Sequence, residues 1–336
     1  MDPEAGETTL NNFNLVYWSD MNISEWAGRI IDSIGRVIYG KAEVIEKLLV
    51  ALLCRGHVLL EDVPGVGKTI LARAVSVSLG GKMQRIQCTP DLMPADVLGV
   101  SIYNQKSGEF DFRQGPVVTN LLLVDEINRA TPRTQSALLE AMEEGKITVE
   151  GKSMDLPRPF FLLATENPVE FEGTFPLPEA QKDRFFLSTR MGYPPDISEK
   201  GIMESHRRIS HPVTDLTPVT GSEEVLNLQR EILKVHVDDS LADYIMDIVE
   251  STRKDERLRN GASPRASMSL YKGAQALAAI RGRQSVGPQD IQDLAPSVLW
   301  KRIAVKSENL LKGLTEEKAV EEILERTALP PPKGDV

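Results

Sequence analysis

His57-Val58-Leu59-Leu60-Glu61-Asp62-Val63-Pro64-Gly65-Val66-Gly67-Lys68-Thr69 is the stretch on which the fold turns. His57–Leu60 is a short apolar strand, Asp62–Gly67 a loop rich in Gly and Pro, and Lys68–Leu79 a helix stopped by Gly80-Gly81. A strand that passes through such a loop into a helix lets backbone N–H groups curl around phosphates at the positive end of the helix dipole. Pro64, Gly65, Val66 and Gly67 then form the loop, Lys68 neutralises the β- and γ-phosphates, and the Thr69 hydroxyl ligates Mg²⁺. Asp62 stands where the strict pattern has its first glycine. Asp tolerates left-handed backbone better than most residues, and its carboxylate is expected to point away from the phosphates.

Outward from this unit, apolar strands are expected at Met83–Thr89, Leu121–Val124, Phe160–Ala164 and Phe186–Met191, with helical stretches between several of them. Pro132–Glu144 is the clearest helix, with Thr131 as N-cap and Gly145 as stop. Alternating strands and helices imply an α/β domain whose parallel sheet is covered on both faces. Ribbons at 100–113 and 146–156 interrupt it. The expected layout is a weakly ordered arm over 1–22, the α/β core over 23–193, a smaller all-helical domain over 194–328 and a disordered tail over 329–336.

Asn120–Val124 is an apolar run that ends in adjacent acids. Asp125 suits Mg²⁺, directly or through water, and Glu126 suits polarising an attacking water. Asn167 follows another strand and can reach the same water or the γ-phosphate, although Asn167-Pro168 alone also reads as a turn. Arg184 precedes the last core strand and on local grounds could simply pair with Asp183. Ser263-Pro264-Arg265 reads as an N-cap, a Pro at the first helical position and a cation in the first turn. A cation there opposes the helix dipole by roughly 0.3–1 kcal/mol unless an anion such as a phosphate lies nearby.

The 336 residues carry a formal net charge of −10, with 41% hydrophobic and 26% charged residues. That balance fits a soluble globular protein and disfavours a dedicated nucleic-acid binder. The 2 cysteines, Cys54 and Cys88, read as buried small hydrophobes in a reducing compartment. Without a signal-peptide pattern or an apolar run of membrane-spanning length, the expectation is a cytoplasmic protein with no membrane span.

Taken together these residues resemble the AAA+ superfamily and, within it, the MoxR family, over about Val37 to Ile303. The resemblance is carried by Gly56–Glu61 with Val63-Pro64-Gly65, by Asp125–Ala130 followed by Gln135–Met142, and by Phe175–Gln181. Gly261–Arg265 and Leu294-Ala295-Pro296 complete it. It implies an ATPase using ATP and Mg²⁺, assembled as a homo-oligomeric, hexameric ring. Asn167 would be sensor 1, Arg184 the arginine finger acting on a neighbour's ATP, and Arg265 sensor 2, reaching from the helical lid. Val37, Ile38 and Gly40 would contact adenine, and both ribbons would face a central channel.

The implied task is chaperone-like remodelling, maturation or activation of client protein complexes, often with a partner carrying a von Willebrand factor A domain. A nucleic-acid motor and a metal-chelatase motor subunit share the scaffold and are the alternative readings. A non-hydrolysing scaffold conflicts with the set Lys68, Asp125, Glu126 and Arg184. Two departures stand out: Glu166 where the family often has Gln, and Lys182 where it usually has an apolar residue.

Overall fold

A computed structural model of the chain describes residues 22–63, 65–167, 173–193 and 212–330. Residues 1–21 of the expected arm, Pro64, Pro168 and residues 331–336 of the expected tail lie outside the described residues. The described residues open with α1 (Ile23–Gly35) and α2 (Ala42–Leu53), joined by a turn in which Gly40 has φ 68°. Then come β1 (Val58–Glu61), α3 (Lys68–Ser78), β2 (Met83–Gln87), α4 (Pro94–Leu98), β3 (Gly99–Asn104) and β4 (Glu109–Gln114). They are followed by β5 (Leu121–Asp125), α5 (Pro132–Glu144), β6 (Lys146–Val149), β7 (Lys152–Asp155), β8 (Phe161–Glu166), α6 (Glu179–Lys182) and β9 (Leu187–Thr189).

Strands β2, β5, β8, β1 and β9 pair in that order, all parallel. The phosphate-loop strand β1 is thus flanked on both sides, and β1, β5 and β8 are buried along their whole length. Successive side chains go to opposite faces, as strand geometry demands. Val58, Leu60, Leu121, Leu123, Phe161 and Leu163 join the core under α1, α2 and α3. Leu59, Leu122, Val124, Leu162 and Ala164 join the core under α5, with Leu138, Leu139 and Met142. Each fully buried Leu or Val contributes about 1.5–3 kcal/mol by leaving water, so both faces select these residues.

The two ribbons are antiparallel hairpins, β3–β4 and β6–β7. The second turns at Glu150 (φ 53°) and Gly151 (φ 78°). The helix expected over Pro132–Glu144 forms with those limits; Thr131 Oγ1 accepts from the Thr134 N–H, and Gly145 takes φ 62°.

Beyond the sheet the chain is helical, with α7 (Ser222–Glu231), α8 (Asp239–Lys254), α9 (Pro264–Ile280), α10 (Pro288–Leu299), α11 (Ser307–Leu310) and α12 (Glu316–Arg326). One addition was not anticipated: β10 (Leu258–Asn260) pairs antiparallel with β11 (Ala304–Val305), two strands too short to show a period in sequence. This region packs on α1 and α2 in the same hydrophobic core as one face of the sheet. Among the described residues no helix is long and apolar enough to cross a membrane.

Candidate active site

The loop between β1 and α3 has its left-handed turns at Gly65 (φ 87°) and Gly67 (φ 91°), and nothing lies within 4 Å of where a Cβ would sit on either. Those glycines leave an open cradle over the N-terminus of α3, which suits a phosphate. The positive φ anticipated for Asp62 is not used: among the described residues only Arg55, Glu126 and Glu150 are non-glycines of that kind. The Asp62 carboxylate does point away from the cradle. It is buried and accepts from the backbone N–H of Gly192 at 3.0 Å and, closer still, from that of Met191. Asp62 therefore fastens the phosphate loop to the chain leaving β9.

Lys68 Nζ donates to the carbonyls of Asp62 at 2.9 Å and Val63 at 3.4 Å. Burial lowers its pKa from the ordinary lysine value, and the charges of Asp62, Asp125 and Glu126 oppose that shift. Lys68 thus shares one field with the acids at the end of β5. Lys41 Nζ donates to the Tyr193 carbonyl at 2.8 Å, so the Val37–Lys41 turn meets the same stretch after β9 that Asp62 holds. Val37 and Ile38 are buried there. Thr69 follows Lys68 in the first turn of α3 and is half-buried.

At the end of β5, Asp125 is buried and its Oδ2 accepts from Arg85 Nε at 2.6 Å. Glu126 has φ 56° and ψ 52°, a left-handed conformation that costs a non-glycine residue of order 1 kcal/mol. Thr165 on β8 secures it: its Oγ1 accepts from the Glu126 N–H at 2.8 Å and donates to Asp125 Oδ1 at 3.4 Å. The Glu126 carboxylate meets Gln87 Nε2 at 3.0 Å and Arg129 Nη1 at 3.1 Å. Asn167 is buried one residue beyond β8, and its carbonyl accepts from Asn128 Nδ2 at 3.4 Å. The two departures from the family pattern meet here, with Lys182 Nζ 3.7 Å from Glu166 Oε1. The acid that replaces an amide comes with its own cation.

Arg184 and Arg265 lie elsewhere. Arg184 Nη1 is 2.6 Å from Glu143 Oε2, and Arg265 forms a close ion pair with the other oxygen of the same carboxylate. Glu143 follows Met142, whose carbonyl accepts from His57 Nε2 at 2.9 Å, and His57 immediately precedes β1. At about 3.3 Å per residue, the start of β1 is roughly 16 Å from the loop that follows its other end. Arg265, expected as a sensor reaching from the lid, is thus placed near the start of β1 and away from this chain's own phosphate loop. The Ser263 hydroxyl donates to Asp183 at 2.9 Å, pinning the start of α9 beside the start of β9, and Glu143 supplies the anion that a first-turn arginine needs.

Thr165 had a signal in sequence, a lone hydroxyl closing an apolar strand. Glu143 had one too, an acid in the last turn of a helix, where the dipole disfavours it. Arg85 and Arg129 carried none.

The two ends of the sheet together define a P-loop α/β ATPase fold with its helical partner domain. A family profile described as the ATPase family associated with various cellular activities (AAA) matches residues 57–187, and an AAA lid domain matches residues 250–323. The Bacillus subtilis protein YeaC is 50% identical over 90% of this chain and 94% of its own length. The protein named Chaperone MoxR1 of Mycobacterium tuberculosis is 41% identical over 90% of this chain and 82% of its own. A crystal structure of a candidate ATPase from Cytophaga hutchinsonii superposes with a TM-score of 0.85 at 36% identity, covering 92% of this chain and 96% of that one. The chain belongs to the MoxR family of AAA+ ATPases.

Proposed function

We propose that this chain is a subunit of a homo-oligomeric ring, hexameric by family resemblance, that hydrolyses ATP to ADP and phosphate at its subunit interfaces. The carrying observation is the split of the candidate catalytic residues between opposite ends of the sheet. The cradle, Lys68, Asp125, Glu126 and Asn167 gather at the ends of β1, β5 and β8. Arg184 and Arg265 share Glu143 near the start of β1. One chain therefore offers half of two sites, and a neighbour completes each.

In this reading the Val37–Gly40 turn borders the adenine, Gly65–Gly67 hold the phosphates, and Lys68 neutralises them. Mg²⁺, held by Thr69 and Asp125, would supply charge neutralisation at the phosphate oxygens. Glu126 orients the attacking water and takes up its proton as the bond to the ADP oxygen breaks, with Asn167 beside it. Arg184 of the next subunit stabilises the charge that develops on the phosphoryl group, and Arg265 joins it from the same face.

The work done would be chaperone-like remodelling, maturation or activation of protein complexes in the cytoplasm, with a von Willebrand factor A domain supplied by a separate partner. The β3–β4 hairpin favours protein clients over nucleic acid: it exposes Val100, Ile102, Tyr103 and Phe110, with Glu109 and Asp111 alongside. Its rings of Tyr103 and Phe110 pack 5.3 Å apart. The deciding experiment is Glu126→Gln with ATP. The variant is expected to bind ATP, assemble by sedimentation velocity and retain ATP unhydrolysed, and captured from its native cells it should hold the client. Hydrolysis at the unaltered chain's rate would refute the role of Glu126.

A further inference from the structure

Two consecutive cations follow α10, one gripping the end of β1 and the other the segment that leads into β9. Lys301 pairs with Glu61, the last residue of β1, while Arg190 meets the same carboxylate at 3.1 Å. Trp300 beside them donates its indole N–H to the Ser188 carbonyl at 3.1 Å. Arg302 goes to the segment before β9. Its side chain is 3% exposed, and its Nε is 3.0 Å from Asp183 Oδ1. Nη2 donates to the Phe185 carbonyl at 2.6 Å, and Nη1 to the Phe186 carbonyl at 3.0 Å. The remaining donors reach the Val298 carbonyl at 2.8 Å and Ser269 Oγ at 3.2 Å.

The groups that Arg302 holds are the immediate neighbours of Arg184 on both sides. Asp183 is gripped by its carboxylate and Phe185 by its carbonyl, while the Phe186 N–H donates to the His57 carbonyl at 2.8 Å. The backbone of Arg184 is therefore clamped between the helical domain and the start of β1, and its side chain remains 36% exposed. A guanidinium suits this task because its planar fork spreads five N–H donors over three nitrogens, whereas an ammonium has three donors on a single nitrogen. Burial pulls the Arg302 pKa down to about 10 against the opposing pull of Asp183, so the group stays charged at neutral pH.

We propose that Arg302 is a positioning residue for Arg184, through which the helical domain sets how this chain presents its finger to the neighbouring ATP site. Because Lys301 at the same joint holds the strand that leads to the chain's own phosphate loop, the joint ties the two half-sites of one subunit together. This rests on the reading of Arg184 as a finger.

The test is a double-mutant cycle in assembled protein, with Arg302→Lys and Asp183→Asn each made in the unaltered chain and in Arg184→Ala. Hydrolysis is followed under single-turnover conditions, and nucleotide affinity with a fluorescent ATP analogue. Arg302→Lys should lower the rate by about 10- to 100-fold, the scale of a misplaced catalytic group. Affinity should stay within about threefold, since binding and turnover separate when only the transition state is affected. In Arg184→Ala the same change should cost nothing further, because a clamp on an absent finger has no work left.

Losses that add in full to that of Arg184→Ala, or an unchanged rate in Arg302→Lys, would overturn the proposal while leaving the finger in place. Full turnover by Arg184→Ala itself would instead remove the finger reading. Should Arg302→Lys fail to fold, Asp183→Asn carries the cycle alone, since it leaves the carbonyl bonds of Arg302 intact.

Discussion

The two ends of the central sheet are built on different principles. Where β1, β5 and β8 end, the functional groups sit on left-handed backbone at Gly65, Gly67 and Glu126, braced by the hydrogen bonds of Asp62 with the chain after β9 and of Thr165 on the neighbouring strand. Near the start of β1 and β9, the functional groups are long arginines on regular backbone, and distant segments fix them: Glu143 from α5, Ser263 from the start of α9 and Arg302 beyond α10. The first end is an open cradle on fixed backbone. The second is a pair of part-exposed, ion-paired guanidiniums on a clamped base.

The largest expected effect breaks this division directly. Arg184→Ala should bind ATP yet lose about 10³–10⁵ in hydrolysis, the contribution of an arginine finger, or roughly 4–7 kcal/mol. Lys68→Ala should fail to bind ATP but still present its finger. Mixing the two inactive variants should restore part of the activity, because some interfaces then pair an intact phosphate loop with an intact finger. Activity assays across mixing ratios check this. No recovery in mixtures shown to co-assemble would refute the split site.

Acid should weaken the β1 end through His57. Its Nε2–H donates to the Met142 carbonyl and its Nδ1 accepts from the Leu162 N–H at 3.0 Å, so the buried ring is neutral. Burial lowers its pKa from 6.5 to about 4, against the opposing pull of the Met142 carbonyl. Between those values the unfolded chain binds the proton and the folded chain does not, so stability falls as pH drops from 6.5 towards 4. At 1.36 kcal/mol per pKa unit this amounts to ~3 kcal/mol. Urea unfolding across that range should show the slope, and His57→Gln should flatten it. Equal slopes in both proteins would exclude His57 as the cause.

How much of this was legible in sequence follows the same division. The phosphate loop, the acids closing β5 and the helix at Pro132–Glu144 could be read because local chemistry and period determine them, and strand limits differed by at most two residues. Asp62 could be read only halfway: its carboxylate turned away as expected, but to cap the N–H groups of Gly192 and Met191, which a local pattern cannot foresee. The arginine end was illegible in its geometry, because Arg265 meets Glu143 across 122 residues and Arg302 meets Asp183 across 119. Lys182 and Glu166 looked like separate departures until the fold paired them.

Thr165→Val sharpens the account of the first end. The change keeps shape but leaves the Glu126 N–H without its acceptor at 2.8 Å. A buried donor stranded in this way costs about 1–3 kcal/mol, and the left-handed Glu126 should lose its fixed direction. Chemical unfolding should show a loss in that range, with the hydrolysis rate falling while ATP affinity holds. A weakened affinity at an unchanged rate would show that Thr165 serves the loop instead of Glu126.

Glu143→Gln is the smallest and most discriminating change. Glu143 lies in the last turn of α5 and Arg265 in the first turn of α9, so each opposes its own helix dipole, and the ion pair between them offsets both penalties. Removing the acid relieves α5 by about 0.3–1 kcal/mol and loses two part-exposed pairs worth about 0–1 kcal/mol each. Stability should therefore change by no more than a gain of about 1 or a loss of about 2 kcal/mol. Function should respond more clearly. On the proposed function Glu143 would compete with a neighbour's phosphate for Arg184 and Arg265, so its removal should raise hydrolysis by about two- to fivefold, the equivalent of about 0.4–1 kcal/mol. A tenfold fall in rate at unchanged stability would reverse the assignment and make Glu143 the guide that aims the two arginines.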